Sequence, residues 1–184
     1  MTVKTEILQK DNIRSKMSVR ELTITALFIA IVYVFTAFIN VRLPISVNGG
    51  LIHLGNVPLF IASIIFGKRT GMFAGGIGMG LFDLLSGWTL WAPFTLVIVG
   101  LMGYVVGVVT ENRKRIGWYI LAMVLACVIK IVGYYIAEAI IYGNWIVPIT
   151  SVPGNLIQIG LAAVITIVII KPLKLAADKT VLHG

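Results

Sequence analysis

Charge is scarce in this chain, and acid is scarcer than base. Only 12% of its 184 residues are charged, with 7 acidic against 15 basic side chains, while 59% are hydrophobic. A soluble domain carries about 25% charge. The polar stretches are too short to bury a core of their own, so a separate soluble catalytic domain is excluded. There is one cysteine, Cys127, inside an apolar run, and there are two histidines. One thiol excludes an internal disulfide and a cysteine-rich metal site, and a buried structural thiol is the expected role. No Walker motif, HExxH or nucleophile elbow occurs. Neither a metal nor a cofactor is expected. The chain reads as an all-α, multi-pass membrane protein.

Six apolar segments long enough to span or be embedded are expected: about 19–39, 54–66, 70–85, 90–109, 118–142 and 153–170, the last stopped by Pro172. The basic residues bracket these segments. Lys4, Lys10, Arg14, Lys16 and Arg20 precede the first, Lys68 and Arg69 follow the second, Arg113 to Arg115 follow the fourth, and Lys171, Lys174 and Lys179 follow the sixth. The opposite connections offer only Arg42. This alternation predicts cytoplasmic termini and assigns the net charge of +8 to topology, with no nucleic acid as partner. Residues 1–17 read as a cytoplasmic lead-in to a single membrane domain, and 173–184 as a cytoplasmic tail. Residues 40–53 read as an outer lid loop, with strand-like alternation from Val41 to Val47 and a turn signal at Asn48-Gly49-Gly50. Glycines 71, 75, 76, 78 and 80 on the third helix, and 100, 103 and 107 on the fourth, predict close helix packing.

Against that apolar background a few polar residues stand out. A charge at mid-bilayer costs at least about 2.5–3.5 kcal/mol on insertion scales. Threading brings Asp83, Lys130, Tyr134, Glu138, Asn155 and Gln158 to the outer half of the bundle. Lys130, Tyr134 and Glu138 share one helix face at four-residue spacing. Lys130 and Glu138 lie about 12 Å apart along the axis, too far for a direct pair. Trp88 and Trp91 flank the outer start of the fourth helix, and Asn48 and His53 come from the loop. Each has a plainer role: Glu138 in an ion pair with Lys130 or Arg42, Lys130 bonded to another helix, the tryptophans as interfacial belt residues, Tyr134 in packing, His53 in solvent. Asn155 and Gln158 are the better ligand contacts, because an amide at depth needs a partner and offers both donor and acceptor. Together these residues predict a small-molecule pocket open to the outside.

The segments GGLIHLGNVPLFIASIIFG (49–67), LFDLLSGW (81–88) and APFTLVIVGLMG (92–103), with the Ala26-xxx-Ala30 face, carry a further likeness. From Ser18 to Pro172 the chain resembles the substrate-binding S component of an energy-coupling factor (ECF) vitamin transporter, a subunit of the bacterial plasma membrane. The resemblance implies six helices, capture of a vitamin from outside, and docking through Ala26 and Ala30 on a T subunit served by two ATP-binding subunits. It implies no chemistry in this chain, with the S component toppling in the bilayer to release its ligand inside. Within the family it looks most like members assigned to hydroxymethylpyrimidine or pyridoxine. It departs from relatives at Asn56, where an acid is common, and at Val99, where lysine is. Two rivals remain on the residues alone: a stand-alone channel or secondary transporter, and an enzyme using Asp83 and Glu138 as acid and base.

Overall fold

The computed structural model describes residues 17–42 and 51–179. Among them are six α-helices: α1 (Val19–Phe38), α2 (Asn56–Phe66), α3 (Lys68–Leu85), α4 (Ala92–Thr110), α5 (Ile116–Tyr142) and α6 (Val152–Ala177). Four are long and apolar enough to cross a membrane: α1, α4, α5, and α6 with the short 3-10 helix Val147–Ser151 that precedes it. Helix α2 is short, and α3 is diluted by glycine and three charges. Ser18 opens α1 by accepting a hydrogen bond from the Glu21 N–H at 3.1 Å, which satisfies one of the first-turn donors. Leu22, Leu27, Val34 and Phe38 are exposed along α1, as a helix facing lipid requires.

Helices α3 and α4 form the most extensive pair. Their glycines explain why. A methyl group added at Gly103 would meet the carbonyl oxygen of Gly71, and one at Gly76 would lie 2.7 Å from the Leu96 carbonyl oxygen. The backbones touch where side chains would hold them apart. The packing expected from glycine spacing is therefore present. Helix α2 is buried in the centre against α1, α3, α4 and α6, with Leu59, Phe60 and Ala62 fully enclosed. Val99 lies fully buried in the same core.

Two short strands, β1 (Asn40–Arg42) and β2 (Leu51–His53), pair antiparallel, with Asn40 opposite His53 and Arg42 opposite Leu51. The strand expectation from Val41 to Val47 holds at Val41 and Arg42, and its remainder lies outside the described residues. The turn signal, including Asn48, lies outside the described residues. One expectation is corrected: Pro172 does not stop α6, which continues to Ala177 through the first residues assigned to the tail. Proline fixes φ near the helical value and removes one donor, so in a membrane helix neighbouring groups re-satisfy the freed carbonyl and the helix continues.

Candidate functional site

The segment Asp83-Leu84-Leu85-Ser86-Gly87-Trp88 builds one wall of a cavity. Gly87 has φ 86°, a conformation that costs other residues a Cβ clash. Its left-handed turn lets the Trp88 N–H donate to the Asp83 carbonyl at 2.9 Å, closing α3 with a Schellman motif. Trp91 N–H then donates to the Trp88 carbonyl at 2.8 Å, and Thr95 N–H to the Trp91 carbonyl at 2.8 Å, starting α4. Backbone bonds thus fix Asp83, Trp88, Trp91 and Thr95 around one corner.

The cavity measures about 390 Å³. Asp83, Trp88 and Trp91 line it with Lys130, Tyr134 and Glu138 of α5, Asn155 and Gln158 of α6, and His53 of β2. Every candidate within the described residues is therefore brought together. Sequence reasoning missed Thr95 and Ser151, which also line it. The Thr95 and Tyr134 hydroxyls are hydrogen-bonded at 3.0 Å, and the Ser151 hydroxyl donates to Glu138 Oε2 at 2.7 Å. Gln158 Nε2 donates to the His53 carbonyl at 3.2 Å, tying the hairpin to α6. Lys130 and Glu138 form no direct ion pair, as their separation along the helix axis predicts, and among the described residues the ion pair formed is Lys68–Glu111, at the far end of α3 and α4. The tryptophans belong to an aromatic cluster beside the cavity. Trp91 is ringed by Trp88, Tyr134 and Tyr142, at centroid distances of 6.4, 6.4 and 6.1 Å. Asn56 sits fully buried in the first turn of α2, and neither of its amide atoms has a partner among the described residues.

His53 is not a solvated loop residue. Its Nδ1 accepts the Gly55 N–H at 3.2 Å, which places the neutral ring's proton on Nε2. Burial, and then the positive charge of Lys130, hold its pKa well below the usual 6.5. The unfolded chain therefore takes up a proton as pH falls through 6.5 while the folded chain resists it. Stability is full above 6.5 and declines below it, toward a limit of about 1.4 kcal/mol per pH unit from this group. Thermal midpoints measured from pH 8 to 5 should show the decline, and His53→Gln should flatten it.

A half-open slot with one aromatic wall and converging amide, hydroxyl and charged groups, set in one end of an apolar helical bundle, defines a membrane-embedded small-molecule binding protein. The chain belongs to the family of ECF-type riboflavin transporter S components, whose model matches residues 16–175. It is a multi-pass plasma-membrane protein and a substrate-binding subunit of a vitamin transporter. Its relatives include an uncharacterized protein of Pyrococcus woesei, 35% identical over 103 residues (56% of this chain, 69% of that protein). The thiamine precursor transporter HmpT of Lactococcus lactis is 29% identical over 142 residues, covering 77% of this chain and 80% of HmpT. The solved S component of a bacterial ECF transporter superposes with a TM-score of 0.69 at 18% identity, over 83% of this chain and 94% of that one, and so shares the fold.

Proposed function

We propose that this chain captures a small hydroxymethylated nitrogen heterocycle, of the hydroxymethylpyrimidine class of thiamine precursors, and passes it inward. The convergence of Trp91, Glu138, Asn155 and Gln158 on one cavity carries this reading, and the likeness to HmpT supports it. A flat ring suits the Trp91 face, and the amides suit ring nitrogens and hydroxyls. The cavity end of the bundle faces outward, the hairpin serves as its lid, and both termini lie in the cytoplasm. Ala26 and Ala30, exposed on α1, form the shallow face on which a T subunit docks, with two ATP-binding subunits supplying the hydrolysis.

Calorimetry on the purified chain without ATP tests the ligand. Hydroxymethylpyrimidine should bind more tightly than about 1 μM, and ahead of pyridoxine and riboflavin. Asn155→Ala should weaken it by at least about 1–2 kcal/mol through a lost buried polar contact. Submicromolar binding of riboflavin alone would reassign the substrate. Uptake by proteoliposomes holding this chain alone would instead favour a secondary transporter.

A further inference from the structure

Asp83 and Lys130 are opposite charges that share the cavity without meeting. Lys130 is 2% exposed, and Asp83 is half-buried near the end of α3. Each lies in the field of the other. Yet among the described residues no ion pair joins them, and the Lys130 ammonium makes no hydrogen bond. Its near neighbour is the Tyr134 ring, whose centroid is 5.4 Å from Nζ. The fold keeps the two charges apart. Helices α3 and α5 each pack on α4, which stands between them, and the Gly87 turn fixes the end of α3. Thr95 of α4 lines the cavity, and its hydroxyl is hydrogen-bonded to that of Tyr134 at 3.0 Å and also bears on the Asp83 carboxylate. A carboxylate accepts about four hydrogen bonds and an ammonium donates three. Both groups line the cavity, so their remaining capacity is available to whatever fills it.

Two opposite charges held apart in an apolar surround are costly, and a group that donates to one while accepting from the other recovers that cost. We propose that Asp83 and Lys130 together read one edge of the ligand ring, with an exocyclic amine donating to Asp83 and the adjacent ring nitrogen accepting from Lys130. This deepens the proposed function and rests on it. The ligand class follows from the split pair: a flat ring with a donor and an acceptor on neighbouring positions of one edge, which within the proposed class is an aminopyrimidine. Pyridoxine has hydroxyl groups and a ring nitrogen but no amine beside that nitrogen, so one edge of it cannot serve both charges. A ligand with acceptors alone leaves Asp83 unserved, and one with donors alone leaves Lys130 unserved, each a charge without a partner in a low-dielectric site.

A calorimetric cycle on the full chain tests the edge. The probes are the aminohydroxymethylpyrimidine, an analogue with hydrogen in place of the amine, and an analogue with C–H in place of the adjacent ring nitrogen. The wild-type chain should bind each analogue at least about tenfold more weakly than the parent, the lower end of the range for a hydrogen bond to a charged group. Asp83→Leu should lose the amine preference and keep the ring-nitrogen preference. Lys130→Met should show the reverse pattern. The double variant, Asp83→Leu with Lys130→Met, removes both charges at similar volume. It should unfold at or above the wild-type midpoint and bind all three probes alike, which covers the case in which a single variant, left with one lone charge, does not fold. If each single variant erases the other's preference, the assignment is overturned. If the double variant retains either preference, these residues do not read the edge and the proposal fails. Parent binding by the wild-type chain without either preference refutes the edge reading and leaves the transport reading intact. A wild-type chain that binds no heterocycle refutes both.

Discussion

Replacing Gly103 by valine should destabilise the protein by about 3 kcal/mol, the upper part of the range for forcing volume into a close-packed contact. The added Cβ points at the Gly71 carbonyl and stands 2.9 Å from the Met72 nitrogen. Both are backbone atoms, so no rotamer change relieves the clash and the helices must separate. That separation would move α3, which carries Asp83, away from α4, which begins beside Trp91. Ligand binding should therefore fall together with the thermal midpoint, although Gly103 does not line the cavity. Gly160→Ala is the contrast: nothing lies within 4 Å of its Cβ position in α6. That change should be neutral, or stabilising by up to about 1 kcal/mol through helix propensity. Thermal unfolding in detergent distinguishes the two, and equal midpoints would remove the α3–α4 contact from the list of what holds the bundle.

The same glycines show how far the fold was legible beforehand. Their three- and four-residue spacing announced a close pair, and hydropathy announced the spans, because both are local properties of one helix. The cavity's main residues were legible for a related reason: a charge or amide within an apolar run has few uses. Thr95 and Ser151 gave no such signal. A threonine in an apolar helix usually bonds its own preceding turn, as Thr36 does to the Val32 carbonyl at 2.8 Å and Thr110 to the Val106 carbonyl at 2.7 Å. Nothing in its neighbours shows that Thr95 instead meets Tyr134. Gln158 was legible as a buried amide but its partner was not, since the His53 carbonyl is 105 residues away in the chain. Pro172 misleads for a third reason: proline removes a helix donor and commonly ends a helix, and nothing in the local sequence shows that α6 continues through it to Ala177.

Replacing Trp91 by alanine should weaken ligand binding on the order of a hundredfold, about 2–3 kcal/mol, more than any single polar change in the cavity. Two losses combine. The ligand ring loses its aromatic face, and Trp88 and Tyr134, whose rings lean on Trp91 at 6.4 Å, lose the contact that orients them. Tyr134 holds the middle of the slot between Lys130 and Glu138, so its disorder weakens the polar contacts too. Trp91→Phe keeps a ring in place and should lose no more than about tenfold. Trp145 tests whether aromaticity at this end of the bundle matters in general. It is 63% exposed and does not line the cavity, and its link to the Tyr135 hydroxyl runs through its backbone carbonyl, which alanine retains. Trp145→Ala should leave affinity unchanged. If Trp91→Ala and Trp145→Ala bind alike, the aromatic wall is a membrane-interface feature and the ring stacking proposed for the ligand is wrong. If only Trp91→Ala loses binding, the exposed tryptophan belongs to the lipid interface, and the partly buried one, fixed by the Gly87 turn and the start of α4, belongs to the ligand.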